Sequence, residues 1–401
     1  MHSVQAIPHA SAFLDQATNK VGSTEVNMLH RFLGGVEPKS RTTGISSMRS
    51  SLPLDPHREF NIALCVPLAG AAGIWGPSAL ASAKLAIDEL NQASGISGRP
   101  CQLINLDAAD EAAQIESSLV SLIEAGEIDA IVGMHTSSMR QRIIKSVGSK
   151  VPFVYTPLYE GGLSAPNVFA IGETTNCQLR PAIAWLAKKR QPKRWFAVGN
   201  DYIWPRVSHH LARKYMAESG CEMVREAYVP IGTSDYAEVL DAIHKSRADA
   251  VLVSLVGQDA VDFNRSFGLR GLSKSVLRLS CAVGENELLA IGSDNSDDLY
   301  VSSGYFASLD TDANLAFKDR YVAKFGERAP TLNTFGQSTY EGVHFLASLL
   351  RHDSRPRNAL TLGPISYLSA RESFYAGPGV CSTPIYLACS DGASFKVIAR
   401  L

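Results

Sequence analysis

The chain has 401 residues, 45% of them hydrophobic and 19% charged, with a formal net charge of −1. That length exceeds one ordinary core, so two lobes are expected. The near-neutral balance speaks against direct binding of nucleic acid, and no apolar run approaches the roughly 18 residues of a membrane span, so no membrane insertion is expected.

Residues 1–58 lack apolar periodicity and read as a disordered tail. A secretory signal needs a basic start and then about 7–15 apolar residues. Residues 1–14 carry His, Gln, Pro and Ser instead. A cytoplasmic location is the expectation, or a periplasmic one if translation starts elsewhere; Met48 is one alternative start.

The pattern becomes regular at Phe60. Phe60–Val66 reads as a strand, and 78–91 as a helix with Leu80, Ala83, Ile87 and Leu90 at helical spacing. The segment 101–106 reads as a strand, and a helix near 111–125 leads to a strand at 128–132. Gly133 ends that apolar run, and Thr136, Ser137 and Ser138 are candidate N-caps for a helix over 136–147. Free N–H groups at a helix start, with a hydroxyl beside them, can hold a polar ligand. The carboxyl end of a parallel strand is also where open α/β sheets bind ligands. A strand at 151–155, a loop at 156–162 and a strand at 168–171 follow.

The unit then restarts. A helix over 177–189 and a strand over 194–198 precede Gly199-Asn200-Asp201-Tyr202-Ile203-Trp204-Pro205-Arg206, which opens another helix. Glu222–Val229 is a strand, and 235–245 a helix capped by Thr233 or Ser234. Ala250–Ser254 is a strand, Gly257–Leu269 a helix, and 276–280 and Leu299–Ser303 add strands. Helices over 311–325 and 338–351 and strands at 385–388 and 395–398 complete the chain. Strands alternating with helices predict an α/β fold with parallel sheets covered on both faces. Two doubly wound lobes fit the length.

Seven cysteines are scattered without a Cys-x-x-Cys pair, the usage of buried, reduced thiols in a cytosolic protein. No Gly-x-Ser-x-Gly elbow, His-Glu-x-x-His helix, phosphate loop or dinucleotide turn occurs. An enzyme is not expected, nor is a cofactor or a metal. His209 and His210 read as solvated helix surface, because metal ligands on a helix sit three or four residues apart. Glu160 reads as a cap or a loop ion-pair partner. Glu285 and Glu287, two residues apart, cannot share a helical face.

Several stretches together resemble the type I periplasmic-binding-protein family. They are Val132-Gly133-Met134-His135-Thr136-Ser137, Tyr155-Thr156-Pro157-Leu158-Tyr159-Glu160-Gly161, the segment from Gly199 to Arg206, Pro230-Ile231-Gly232-Thr233-Ser234-Asp235, Ser254-Leu255-Val256-Gly257, and Gly304-Tyr305-Phe306-Ala307-Ser308-Leu309-Asp310. The Asp-Tyr-Ile-Trp-Pro and Tyr-Glu-Gly segments resemble its amide- and urea-binding branch, which includes a cytoplasmic sensor of amides. The resemblance implies a three-crossover hinge between one lobe of 59–176 plus 304–377 and another of 177–303 plus 378–401. It implies that Ser137 bonds the ligand from the first lobe, beside Tyr155 and Pro157, and that Tyr202 closes over it from the second. Tyr159, Trp204 and Gly257 lie in the same matched segments and complete the candidate ligand-binding set. Neutral amides suit such a site, because hydroxyl and backbone groups satisfy them without charge. The implied function is a sensor of a short amide or urea, signalling by lobe closure. The alternative is the solute-binding component of an ABC transporter for urea, amides or branched-chain amino acids. The partners implied are the small ligand and an RNA-binding antiterminator or an ABC permease, with a homodimer as the candidate assembly.

Overall fold

The computed structural model describes residues 58–109, 114–352, 362–380 and 382–401; the expected tail at 1–58 lies almost wholly outside them. The first sheet has the order β2-β1-β3-β4-β5, all parallel. Its strands are β1 (Phe60–Val66), β2 (Cys101–Asp107), β3 (Ala130–Gly133), β4 (Phe153–Tyr155) and β5 (Val168–Ala170). Every residue of β3 and β4 is buried. That follows from their unbroken apolar runs, which only a sheet covered on both faces can hide. The connecting helices are α1 (Gly76–Gln92), α2 (Ile115–Glu124) and α3 (Ser137–Val147).

The chain then builds a second sheet. It alternates α4 (Thr175–Lys189), β6 (Arg194–Asn200), α5 (Ile203–Glu218), β7 (Glu222–Val229), α6 (Ala237–Ser246), β8 (Ala250–Ser254), α7 (Gly257–Leu269), β9 (Leu277–Ser280), α8 (Glu285–Ile291) and β10 (Leu299–Ser303). It returns to the first lobe for α9 (Asp312–Phe325), α10 (Thr334–His352) and the small pair β11 (Ile365–Ser366) and β12 (Phe374–Tyr375). It ends in the second sheet with β13 (Tyr386–Asp391) and β14 (Ser394–Arg400). The second sheet runs β14-β13-β10-β9-β8-β6-β7. Its last two strands are antiparallel, which departs from the all-parallel expectation. The hairpin turn after Asp391 makes β14 antiparallel to β13, since parallel neighbours need a long crossover, and β13 itself enters from the third passage against the direction of β10.

Three passages therefore join the lobes, at 171–174, 304–311 and 376–385. In each sheet the strand order reverses beside the first strand built, between β1 and β3 and between β6 and β8. Those reversals open crevices at the carboxyl ends of the strands.

Local boundaries moved where nearby side chains bond the first backbone N–H groups of a helix. Thr136 is the cap of α3, accepting from the Met139 N–H at 3.3 Å, so Ser137 is the first helical residue. Helix α6 starts at Ala237 rather than Asp235, and Asp235 Oδ1 instead accepts the Ala237 N–H at 2.9 Å. Helix α10 begins at Thr334, four residues before the apolar periodicity suggests, because Asn333 Oδ1 accepts the Gly336 N–H at 2.8 Å. His209 is a clear correction. It is fully buried, stacked on Tyr228 with ring centres 5.0 Å apart, and only His210 faces solvent.

Candidate functional site

The carboxyl ends of six strands face one another across the lobes. From the first lobe, β1 leads to Trp75, β3 to His135, Thr136 and Ser137, and β4 to Tyr155, Pro157 and Leu158. From the second, β6 leads to Tyr202 and Trp204, β8 to Val256, and β9 to Ala282. Phe335, in the first turn of α10, completes the wall. The void between them is about 20 Å³, room for about one water. A ligand of several heavy atoms enters only when the lobes part or the rings turn.

Aromatic surface dominates this cleft. Trp75 and Phe335 stack with centres 4.1 Å apart and planes 26° from parallel. Tyr202 and Trp204 lie 6.3 Å apart on the opposite lobe. His135 is tilted against Tyr155 at 5.4 Å, and the Tyr155 hydroxyl donates to the His135 carbonyl at 2.7 Å. The His135 ring is buried and sits 3.1 Å from the Thr136 carbonyl through Nδ1, so Nδ1 carries the proton and the ring is neutral. Burial pulls its pKa down to about 3.

Ser137 has a prior engagement. Its hydroxyl donates to Glu160 Oε2 at 2.6 Å, and Arg140 Nη2 bonds the other oxygen of the same carboxylate. The Arg140 guanidinium lies 4.7 Å over the Tyr155 ring and 5.5 Å from that of Tyr159. Burial lowers the Arg140 pKa, but the adjacent Glu160 charge more than offsets that and leaves it raised. Its proton goes to Glu160 and its oxygen accepts Arg140 Nη1 at 3.4 Å, so Ser137 is held within the first lobe. The start of α3 is closed by Thr136, whose side chain takes the Met139 N–H and whose carbonyl takes that of Arg140 at 3.0 Å.

A second polar cluster spans the lobes. The Trp75 indole N–H donates to Glu287, and Asn286 Nδ2 donates to the Ile74 carbonyl at 3.0 Å. Glu287 also takes the Gly284 N–H at 2.9 Å, while Glu285 takes that of Ala307 at 2.6 Å. The two carboxylates thus point to different partners, as their spacing requires. Burial raises both pKa values, that of Glu285 to about 7.

The second-lobe loops are tied by one carboxamide. Asn200 Oδ1 accepts the Val256 N–H at 3.0 Å, and its Nδ2 donates to Asp259 Oδ2 at 2.6 Å. Asp259 in turn holds the Gly232 N–H at 2.9 Å. Three of the matched sequence segments therefore meet beside Tyr202.

Of the seven candidate site residues, Ser137, Tyr155, Pro157, Tyr202 and Trp204 line the cleft. Tyr159 does not. Its N–H bonds the Glu173 carbonyl at 2.9 Å, and its ring packs edge-on against Tyr155 at 6.3 Å, so it braces the first crossover. Gly257 also lies outside the cleft wall. It has φ 52, and a Cβ there would stand 2.0 Å from the Ala71 carbonyl oxygen. It is where the second lobe's backbone touches the first. Trp75 and Phe335 also line the cleft, but they come from a turn and from a distant helix whose sequences carry no ligand-like pattern.

The hinge has a buried ionic node. Arg371 bonds Glu173, in the first passage, and Glu341 Oε2, on α10, at 2.9 Å. The Gly304 N–H, opening the second passage, donates to Glu173 Oε1 at 3.0 Å. Thr383, in the third passage, shares a hydroxyl bond of 2.7 Å with Ser373, just before β12. Among the described residues no group of three metal-type ligands occurs.

A family profile described as "Periplasmic binding protein" matches residues 59–361. Among solved structures, a Rhodopseudomonas palustris ABC-transporter solute-binding protein in complex with benzoate is similar. The two share 17% identity over 86% of this chain and 96% of that one, with a TM-score of 0.71. A Burkholderia mallei periplasmic binding protein has 16% identity, coverage of 86% and 94%, and a TM-score of 0.75. A Streptococcus pneumoniae branched-chain amino acid transporter substrate-binding protein, in complex with isoleucine, has 18%, coverage of 86% and 99%, and 0.69. The two lobes, the three passages and the interlobe cleft are the type I architecture. The chain belongs to the periplasmic binding protein family, a family of non-enzymatic small-ligand binders.

Proposed function

We propose that the protein is the solute-binding component of an ABC-type transport system, closing its lobes on a small planar molecule. The observation that carries this is the cleft itself, an aromatic slot between lobes with the start of α3 at one end. The rings of Trp75, Phe335 and Tyr202 suit a flat body. The positive end of the α3 dipole suits a carboxylate or carbonyl oxygen at its end. Neighbouring solved proteins of this fold that hold benzoate or 4-hydroxybenzoate support an aromatic carboxylate. The carboxylate a branched-chain amino acid's amine would need is less available, since Glu287 is already bound by Trp75 and Gly284.

One observation favours a second reading, an amide or urea sensor in the cytoplasm. Cys65, Cys101, Cys221 and Cys281 are buried thiols, and burial pushes Cys65 up to about 12. Such thiols suit a reducing compartment. A thermal-shift panel of benzoate, hydroxybenzoates, acetamide, urea and isoleucine separates these readings. The transport reading expects the largest shift from an aromatic carboxylate. A ligand at 100 times its Kd adds about 2.7 kcal/mol, enough to see. A shift from acetamide or urea alone, with recovery of the chain only from the cytoplasm, would replace it with the sensor.

A further inference from the structure

The first turn of α8, in the second lobe, grips the hinge and the first lobe at once. Glu285 takes the Ala307 N–H of the second passage at 2.6 Å. Asn286 Nδ2 donates to the Ile74 carbonyl at 3.0 Å, and Glu287 takes the Trp75 indole N–H. Ile74 and Trp75 lie in the turn at Ala71–Trp75 of the first lobe, so the last two bonds exist only while the lobes are together.

The two carboxylates differ in what a proton would cost them. Glu287 is fully buried and accepts on both oxygens, from Trp75 on one and from the Gly284 N–H at 2.9 Å on the other. A proton there breaks one of these bonds. Glu285 accepts Ala307 on Oε1 alone; its Oε2 is shielded from solvent and has no partner. A proton on Oε2 breaks nothing and removes one of two neighbouring like charges.

The nearby cation, Lys318 of α9, is spent on the Ala307 carbonyl at 3.0 Å. The other titratable groups on this side are the Tyr305 hydroxyl in the second passage and, beyond it, Tyr321 and Glu341 with its Arg371. The turn at Ala71–Trp75 contributes none. On the rest of α8, the packed elements are α7, β14 and the turn at Ser293–Asn295. They turn Arg265, Asp294, Lys396 and Arg400 to solvent and hold Asp259 and Asp262 in bonds of their own. Burial, with the Glu287 charge, raises Glu285 to about 7, and the Ala307 bond and Lys318 offset only part of that.

We propose that lobe closure takes up one proton at Glu285, leaving Glu287 as the single charge that holds the Trp75 wall of the cleft. This rests on reading the cleft as the place where the lobes close on a ligand, and it makes the proton a co-ligand of the closed state. When the lobes part, Trp75 withdraws, water reaches the pair, and Glu285 returns to the ordinary carboxylate range. Acid favours the state that binds the proton more tightly, here the closed one. The gain is fully present below the ordinary value of 4.5 and is lost as pH rises through about 7.

Two measurements on the full chain test this. The first needs no ligand: small-angle scattering of the wild type and of Glu285→Gln at about pH 6 and about pH 8. Glutamine keeps an acceptor for Ala307 and puts a neutral group at Oε2, so it stands for the protonated side chain. The wild type should be more compact at the lower pH, and Glu285→Gln equally compact at both. The second is calorimetric titration of benzoate in two buffers of different ionisation enthalpy. Wild-type affinity should be about tenfold higher at the lower pH, with uptake of most of one proton there; Glu285→Gln should show neither effect. Equal compactness of the wild type at both pH values would overturn the latch. So would benzoate binding without proton uptake, or an uptake that survives in Glu285→Gln. No binding of benzoate at either pH would count against the cleft reading instead, and the scattering result would still decide the latch.

Discussion

Ser137 shows how a correct position can carry a different chemistry from the one expected. It lies in the cleft, but its proton belongs to Glu160. Ser137→Ala should therefore do two things. It should cost roughly 1–3 kcal/mol of stability in the empty protein, by leaving a buried carboxylate one donor short, and it should weaken ligand binding. A melting curve and a titration on the same variant check both; loss of affinity at unchanged melting temperature would contradict the network. Gly257 makes a sharper case. Any side chain there meets the Ala71 carbonyl across the lobes, on a backbone at φ 52. Gly257→Ala should leave each lobe folded but weaken ligand at least tenfold, because closure is blocked. Unaltered affinity would show that this contact is not part of the closed state. His135 predicts the pH response. Its folded pKa of about 3 lies below the ordinary 6.5, so its contribution to stability is present above pH 6.5 and is lost as pH falls towards 3. His135→Gln should flatten that part of the acid limb in denaturant titrations. An identical pH profile in the variant would remove His135 from the account.

At the scale of elements, the strands were the legible part. The apolar run of Ala130–Gly133 and the hydroxyls after it gave both a buried strand and a helix start. The segments around Tyr155, Tyr202 and Val256 could be placed at strand ends for the same reason. What could not be read was everything made by assembly. Phe335 reaches the cleft only because α10 returns to the first lobe, and Trp75 only because a short turn after β1 folds under Glu287. His209 looked solvated because burial by Tyr228 comes from the neighbouring strand β7. The hinge node was equally invisible, being drawn from Glu173, Glu341 and Arg371. Arg371 is fully buried; burial lowers its pKa, but the two carboxylates more than offset that. Arg371→Met should destabilise strongly, by about 3–5 kcal/mol, because it strands buried carboxylates. Pairing it with Glu341→Gln and Glu173→Gln should recover much of that loss. No recovery would mean that the node is not held by charge.

For the whole molecule, the claim is that two lobes with separate sheets grip one ligand between the carboxyl ends of their strands. The grip needs rings from both sides: Phe335 from the first lobe and Tyr202 from the second. A calorimetric titration of 4-hydroxybenzoate tests this most directly, run on the wild-type chain, on Phe335→Ala and on Tyr202→Ala at several temperatures. The account predicts binding to the wild type with a negative heat-capacity change, the mark of apolar surface buried on closure, and at least a tenfold loss in each variant. Undiminished affinity in either variant would contradict it, since the ligand would then be held by one lobe alone.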